Sequence, residues 1–141
     1  MIESYQKRIS GPLMDRIDMH IQVPSVKYKE LLHDDHAEIS SVIRERIMKA
    51  RSVQCRRLEP FRIYCNAQMT PRTLRRFCRL DSASEKTIEN AVTRLGLSAR
   101  AYDRILRVAR TIADLEGQES IQSGHVSEAI QYRSLDRTYC L

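Results

Sequence analysis

The sequence predicts a mainly α fold, a bundle of four or five short helices preceded by a short helix and a strand. Three observations carry this. Apolar residues recur at helical spacing from Glu38 onward; Ser, Thr and Asp stand where those helices begin and Gly where two of them end; and strict apolar–polar alternation is confined to Ile17–Val23. With 141 residues the chain holds one domain of usual size plus an appended fragment: 1–24, a linker 25–37, and a helical part 38–141.

Residues 2–9 read as the tail of a helix. Ser10 or Gly11 then caps a helix of barely a turn and a half, with Pro12 in its first turn, where the missing N–H costs nothing. From Ile17 the pattern becomes a strand, Ile17, Met19, Ile21 and Val23 on one side and Asp18, His20 and Gln22 on the other, until Pro24 ends it. An orphaned strand with an apolar face is expected to pack on the helices or to pair with another copy. The His33-Asp34-Asp35-His36 cluster reads as a polar loop rather than a metal site, since nothing nearby completes a coordination shell, and Tyr28, Leu31 and Leu32 are expected to tack the linker down.

From Glu38 to Leu58, Ile39, Val42, Ile43, Ile47, Ala50 and Val53 mark one long amphipathic helix, ended by Glu59-Pro60. Phe61–Met69 is an irregular link. Thr70-Pro71 opens a short helix through Cys78, and Asp81 or Ser82 caps the next, with Ile88, Ala91, Val92 and Leu95 inward and Gly96 as its stop. Ser98 caps a helix with an apolar stripe of Tyr102, Ile105, Leu106, Ala109, Ile112 and Ala113, ended by Gly117. Arg100, Arg104, Arg107 and Thr111 share another of its faces. Ser123 begins a last helix that turns Val126, Ala129 and Ile130 inward.

Composition narrows the function classes. No stretch reaches the roughly 18 apolar residues of a membrane span and no signal peptide opens the sequence, so a cytoplasmic protein without membrane partners is expected. Cys55, Cys65, Cys78 and Cys140 lack the spacing of a zinc site and are expected to be reduced, with Cys140 open to adventitious disulfides. The net charge of +6 is concentrated between positions 44 and 79, where eleven basic residues face Glu45 and Glu59. Such a block attracts polyanions, nucleic acid above all, through Arg44, Arg51, Arg56, Arg57, Arg75 and Arg76; the competing reading is a solvated helix face. Tyr64 and Tyr132 make a poor base-stacking platform, and most tyrosines are expected in the core.

Two signatures are absent. The isolated glycines Gly11, Gly96, Gly117 and Gly124 build no phosphate-cradling P-loop, and no apolar run ends in Asp-Glu to hold magnesium. Asp15, Asp18, Asp103 and Asp114 do not pair as acid and base, and no Ser-His-Asp or Cys-His arrangement follows from spacing. The chain alone is expected neither to bind ATP tightly nor to hydrolyse it, and to carry no metal or cofactor.

The run Lys7-Arg8-Ile9-Ser10-Gly11-Pro12-Leu13-Met14-Asp15-Arg16-Ile17-Asp18-Met19-His20-Ile21-Gln22-Val23-Pro24 resembles the segment after sensor 1 in AAA+ ATPases of the magnesium-chelatase and minichromosome-maintenance branch. Within that branch it is similar to the magnesium-chelatase-like ComM/YifB competence family. The segments from Leu97 to Leu115 and from Ala129 to Arg137 resemble the same family's closing helices. Together the three motifs extend in order over nearly the whole chain. The resemblance implies the C-terminal part of such an ATPase: a helical lid after a helix-strand remnant of its α/β core.

It implies, for the full-length parent, ATP and Mg2+ as cofactors and a homo-hexameric ring that hydrolyses ATP between subunits and remodels DNA as a branch-migration helicase in natural transformation. Chelatase relatives instead remodel a partner protein. By motif, Arg16 is the arginine finger acting on the neighbouring subunit, with Arg8 as the reserve candidate, and Arg100 is sensor 2, helped by Arg104. Such a guanidinium stays charged and meets phosphate oxygens in pairs. The rival readings are a stand-alone basic helical module for nucleic acid and an interaction scaffold.

Overall fold

The computed structural model describes Leu13, residues 16–21, 23–25 and 38–133. Among these, five α-helices carry the fold: α1 (Ser40–Leu58), α2 (Pro71–Phe77), α3 (Ser82–Leu95), α4 (Ala99–Leu115) and α5 (Ser123–Gln131). Two 3-10 turns, Glu59–Phe61 and Asn66–Gln68, join α1 to α2. The expectations for residues 2–9, for Tyr28, Leu31, Leu32 and the His33–His36 cluster, and for Cys140 lie outside the described residues.

The punctuation read from the sequence sets the helix ends. Thr70, Asp81 and Ser98 each accept a hydrogen bond from the backbone N–H three residues on, at 3.4, 2.8 and 3.1 Å, which satisfies one of the orphan donors at each helix start. Ser84, through its hydroxyl and then its backbone N–H, holds the exposed Asp81 carboxyl below its ordinary range. Gly96 closes α3 at φ +63°, a left-handed conformation that costs glycine nothing. At the start of α5 the His125 ring does the capping: its Nδ1 accepts from Gln122 N–H at 3.0 Å while Nε2 lies 2.9 Å from Glu116.

α4 is the central element, packed against α1, α2, α5 and the second 3-10 turn, with α3 on α5. Of the predicted stripe, Ile105, Leu106, Ala109, Ile112 and Ala113 are buried and Tyr102 is half-buried against them; Ala101 is buried as well, and this face meets Leu58, Leu74, Ile88 and Val126. The small alanines let neighbouring helices approach closely. Cys78 is buried in this core, which pushes its thiol up to about 12.

α1 departs from the sequence reading. Only its C-terminal half lies on α4, and the residues it buries are Ala50, Gln54 and Leu58. Ile39, Val42, Ile47 and Val53, expected inward, are exposed. The periodicity was real, but a helix can bury its stripe only where it has a neighbour.

The strand expected over Ile17–Val23 is likewise not formed among the described residues. No second strand is beside it there, and an extended segment with no ladder partner is not a strand. The alternation nevertheless sorts the side chains, in the opposite sense to a core strand. His20 is buried, whereas Ile17, Met19, Ile21 and Val23 are exposed, Val23 to 82%.

One polar cluster fixes α1 on α4. Arg57 donates to both carboxylate oxygens of Asp114, at 2.7 and 2.6 Å, and to Asn66 Oδ1 at 2.9 Å. Asn66 Nδ2 donates to Asp114 and to Thr111 Oγ1, both at 2.9 Å, and Arg110 Nε donates to Asp114 at 3.1 Å. The remaining Arg110 nitrogens donate to the carbonyls of Glu119 and Gln118 at 2.7 and 2.6 Å. Burial pulls the Arg110 pKa down, and Asp114 partly offsets this.

Removing the carboxylate strands two guanidinium groups that are largely out of water. Asp114→Ala is expected to lower stability by about 3–5 kcal/mol in urea unfolding, while Arg56→Ala, one residue from Arg57 but exposed, stays within about 0.5 kcal/mol. Equal effects of the two substitutions would refute the role given to Asp114.

Candidate functional site

The candidate site is the surface where residues 16–21 meet α4 and α5. Arg16 is exposed, in a turn whose backbone N–H donates to the Leu13 carbonyl at 2.9 Å. Beyond it, three polar links hold the segment. The Asp18 carboxylate pairs with Arg104 of α4. Arg133, just past α5 and wholly buried, donates to the Ile17 carbonyl at 2.7 Å. His20 N–H donates to the Tyr132 carbonyl at 2.7 Å. Tyr132 itself bonds Glu128 through its hydroxyl, which raises the phenol pKa.

Arg100 is the second residue of α4 and is exposed. It stands in the first turn, where unsatisfied N–H groups and the helix dipole favour an anion. Arg104 follows one turn later, and residues four apart on a helix are neighbours on one face. The Asp18–Arg104 pair therefore ties the Arg16 turn to the face that presents Arg100. Arg16 lies two residues from one member of the pair, about 7 Å of chain at most, and Arg100 about 6 Å along the helix from the other.

The structure separates the predicted residues into groups. Arg16 and Arg100 are exposed cations on one clamped unit; Arg104, expected at a nucleotide, is engaged with Asp18 and lies mostly out of solvent. Arg107, on the same face of α4, donates to the Met69 carbonyl at 3.0 Å. Arg8 lies outside the described residues. Of the basic set, Arg44, Arg51, Arg56, Arg75 and Arg76 are exposed, while Arg57 holds Asp114. Tyr64 is exposed rather than in the core.

The sequence reading missed the clamp and the Asp114 cluster. An i,i+4 signal was present in Arg110 and Asp114, flanked by the buried alanines 109 and 113, but Arg57 and Arg133 carry no local mark of burial. Among the described residues no three His, Cys, Asp or Glu side chains gather where they would hold a metal ion, and no helix is long and apolar enough to cross a membrane. What the site offers chemically is a pair of guanidinium groups able to meet phosphate oxygens from outside.

Breaking the clamp should free the segment without unfolding the bundle. Asp18→Asn is expected to speed tryptic cleavage after Arg16 several-fold, followed by mass spectrometry, with the helical melting transition unchanged. Unaltered cleavage would show that the ion pair does not hold the segment.

Comparison with known proteins agrees with this architecture. Residues 37–133 match the family model described as magnesium chelatase, subunit ChlI C-terminal, and residues 1–31 match that described as magnesium chelatase, subunit ChlI. The chain is 39% identical over 137 residues to competence protein ComM of Haemophilus influenzae, covering 96% of this chain and 26% of that protein. It is 36% identical over 137 residues to the uncharacterized protein YifB of Escherichia coli, covering 94% of this chain and 26% of YifB. An uncharacterized Mycobacterium bovis protein is 35% identical over 129 residues, 92% of this chain and 25% of that protein. The chain thus spans about a quarter of the length of these curated relatives. With the helical bundle filling the C-terminal match and the Arg16 segment falling in the other, the chain belongs to the magnesium chelatase ChlI family.

Proposed function

We propose that this chain is the arginine-presenting C-terminal part of a ring-forming AAA+ ATPase that remodels DNA, with Arg16 as the finger and Arg100 as sensor 2. The observation that carries the reading is the Asp18–Arg104 ion pair, because it couples the Arg16 turn to the face of α4 that bears Arg100. Two cations on one unit serve one phosphate cluster, and in a ring that cluster belongs to the neighbouring subunit.

The donor chemistry fits the phosphates of ATP and not its metal. Exposed arginines suit phosphate oxygens, whereas no described acidic cluster would hold Mg2+. ATP supplies the phosphoryl group; this chain's contribution is positioned positive charge. Charge that shifts onto the leaving and equatorial oxygens is stabilised by a guanidinium delivered from outside, roughly 10³–10⁵ in rate in nucleotide hydrolases. Arg104 acts through Asp18, as a positioning residue.

Relatives about four times as long leave ample room for a nucleotide-binding half, and the name of the Haemophilus influenzae relative, competence protein, supports work on DNA. The basic block between positions 44 and 79 points the same way.

The test joins residues 1–141 to the nucleotide-binding half of a relative and measures ATP turnover. Arg16→Ala and Arg100→Ala are each expected to lower kcat by at least about 10³ with the oligomer intact. Full turnover in both variants would overturn the assignment and favour a scaffold.

A further inference from the structure

The far end of α4 carries a second basic surface. A groove of about 660 Å³ opens between the C-terminal turns of α1 and α2 and the loop after α4. Its apolar wall includes Val53, Phe77 and Ile121. Arg56, Arg76 and Arg79 line it as well and are exposed. At its floor Asp114 is already shared between Arg57 and Arg110, so Glu119 is the one carboxylate left to oppose the three exposed arginines. Among the described residues no hydrogen bond or ion pair engages the side chain of Arg56 or Arg79. Arg76 is stacked over Phe61 and Phe77, 5.5 and 5.4 Å from the ring centroids, which holds its guanidinium plane in place at low entropic cost.

The groove is elongated. It shares Val53, Asp114 and Gly117 with an adjoining groove of about 440 Å³ that continues along α1 to Val42 and is mixed in charge. Glu45 and Glu116 line it with Arg46 and Lys49, Lys49 pairs with Glu45 and Arg46 with Glu38, so the unopposed cations are those of the first groove. From Val42 to Arg56 the trough follows the helix for about 21 Å, the length of roughly six nucleotides of one strand. A free nucleotide would fill a fraction of it. The ATP phosphates assigned to Arg100 are remote, because Arg100 and Asp114 stand at opposite ends of α4, about 21 Å apart along its axis.

We propose that this trough is a docking site for a nucleic-acid backbone, in which Arg56, Arg76 and Arg79 grip successive phosphodiesters and Val53, Phe77 and Ile121 pack against sugars. Planar guanidinium forks match paired phosphate oxygens, and a linear trough matches a linear polyanion. The inference rests on the nucleic-acid part of the function proposed above, but on residues distinct from Arg16 and Arg100, so it is tested without ATP turnover.

The experiment is fluorescence anisotropy of a labelled 20-base strand and its duplex with the 141-residue chain, from 50 to 200 mM salt. R56Q/R76Q/R79Q is expected to weaken binding at least about tenfold at low salt and to flatten the log K against log salt slope by about two to three, the loss of three phosphate contacts. R72Q/K86Q/R94Q, equal in charge and outside the trough, should stay within about threefold of the unmodified chain. R56Q/R79Q, which keeps the stacked Arg76, should give about two-thirds of the slope change, and unchanged circular dichroism secures the fold of each variant. Equal losses in both triple variants would overturn the site in favour of diffuse attraction. Displacement by polyglutamate as effective as by unlabelled DNA would overturn it in favour of an acidic polypeptide. No binding by the unmodified chain would refute the trough while leaving the proposed function of the ring, and the roles of Arg16 and Arg100, standing.

Discussion

The fold hangs on the Asp114 carboxylate. It receives four hydrogen bonds, two from Arg57, one from Asn66 and one from Arg110. Those donors come from the end of α1, the second 3-10 turn and α4 itself, and Arg110 reaches on to the loop after α4. The apolar core around it is modest in side-chain size. Three of the buried residues of α4 are alanines, and Arg133, Asn66 and Ser84 count among the largest fully buried side chains. Apolar contact brings such helices together but says little about their angle. A carboxylate shared by two guanidinium groups admits few alternative arrangements, because every donor left behind would be buried unpaired.

With α1 and the following loop fixed on its C-terminal half, α4 is left to work at both ends. Its N-terminal turns present Arg100 and bind the Asp18 segment through Arg104; its C-terminal turns floor a groove rimmed by Arg56, Arg76 and Arg79. One helix thus joins the surface proposed for ATP phosphates to the surface proposed for nucleic acid. The exposed apolar row from Ile17 to Val23 belongs to the same design. The segment is held by its polar side and its backbone; on the apolar side Met19 lines a groove with Val108, Ile112 and Leu115 of α4, while Ile21 and Val23 stay largely exposed.

Much of this was legible in the sequence, and the parts that were not share a cause. Caps and stops are local chemistry, so Thr70, Asp81, Ser98 and Gly96 marked their helices correctly. The α4 stripe was legible because one face is covered along its whole length. On α1 the same kind of periodicity misled, since half of the stripe lacks a neighbour and Gln54 takes a core position. The alternation at Ile17–Val23 was also real, but whether it becomes a strand depends on a ladder partner that periodicity cannot supply. Arg56 and Arg57 are adjacent and chemically identical, and only the position of Asp114, 57 residues further on, separates a surface cation from a buried one.

The central claim, that Arg16 and Arg100 are one unit serving a neighbour's phosphates, is tested most directly by mixing two inert subunits of the joined, ring-forming protein. One carries Arg16→Ala and Arg100→Ala with an intact P-loop; the other has both arginines and a P-loop lysine replaced by alanine. Where the first subunit's P-loop meets the second subunit's arginines, the interface is complete. Turnover that reappears on mixing, in proportion to such interfaces, is the predicted result. Persistent inactivity in well-formed mixed rings, with recovery when Arg100 is restored to the subunit bearing the P-loop, would contradict it.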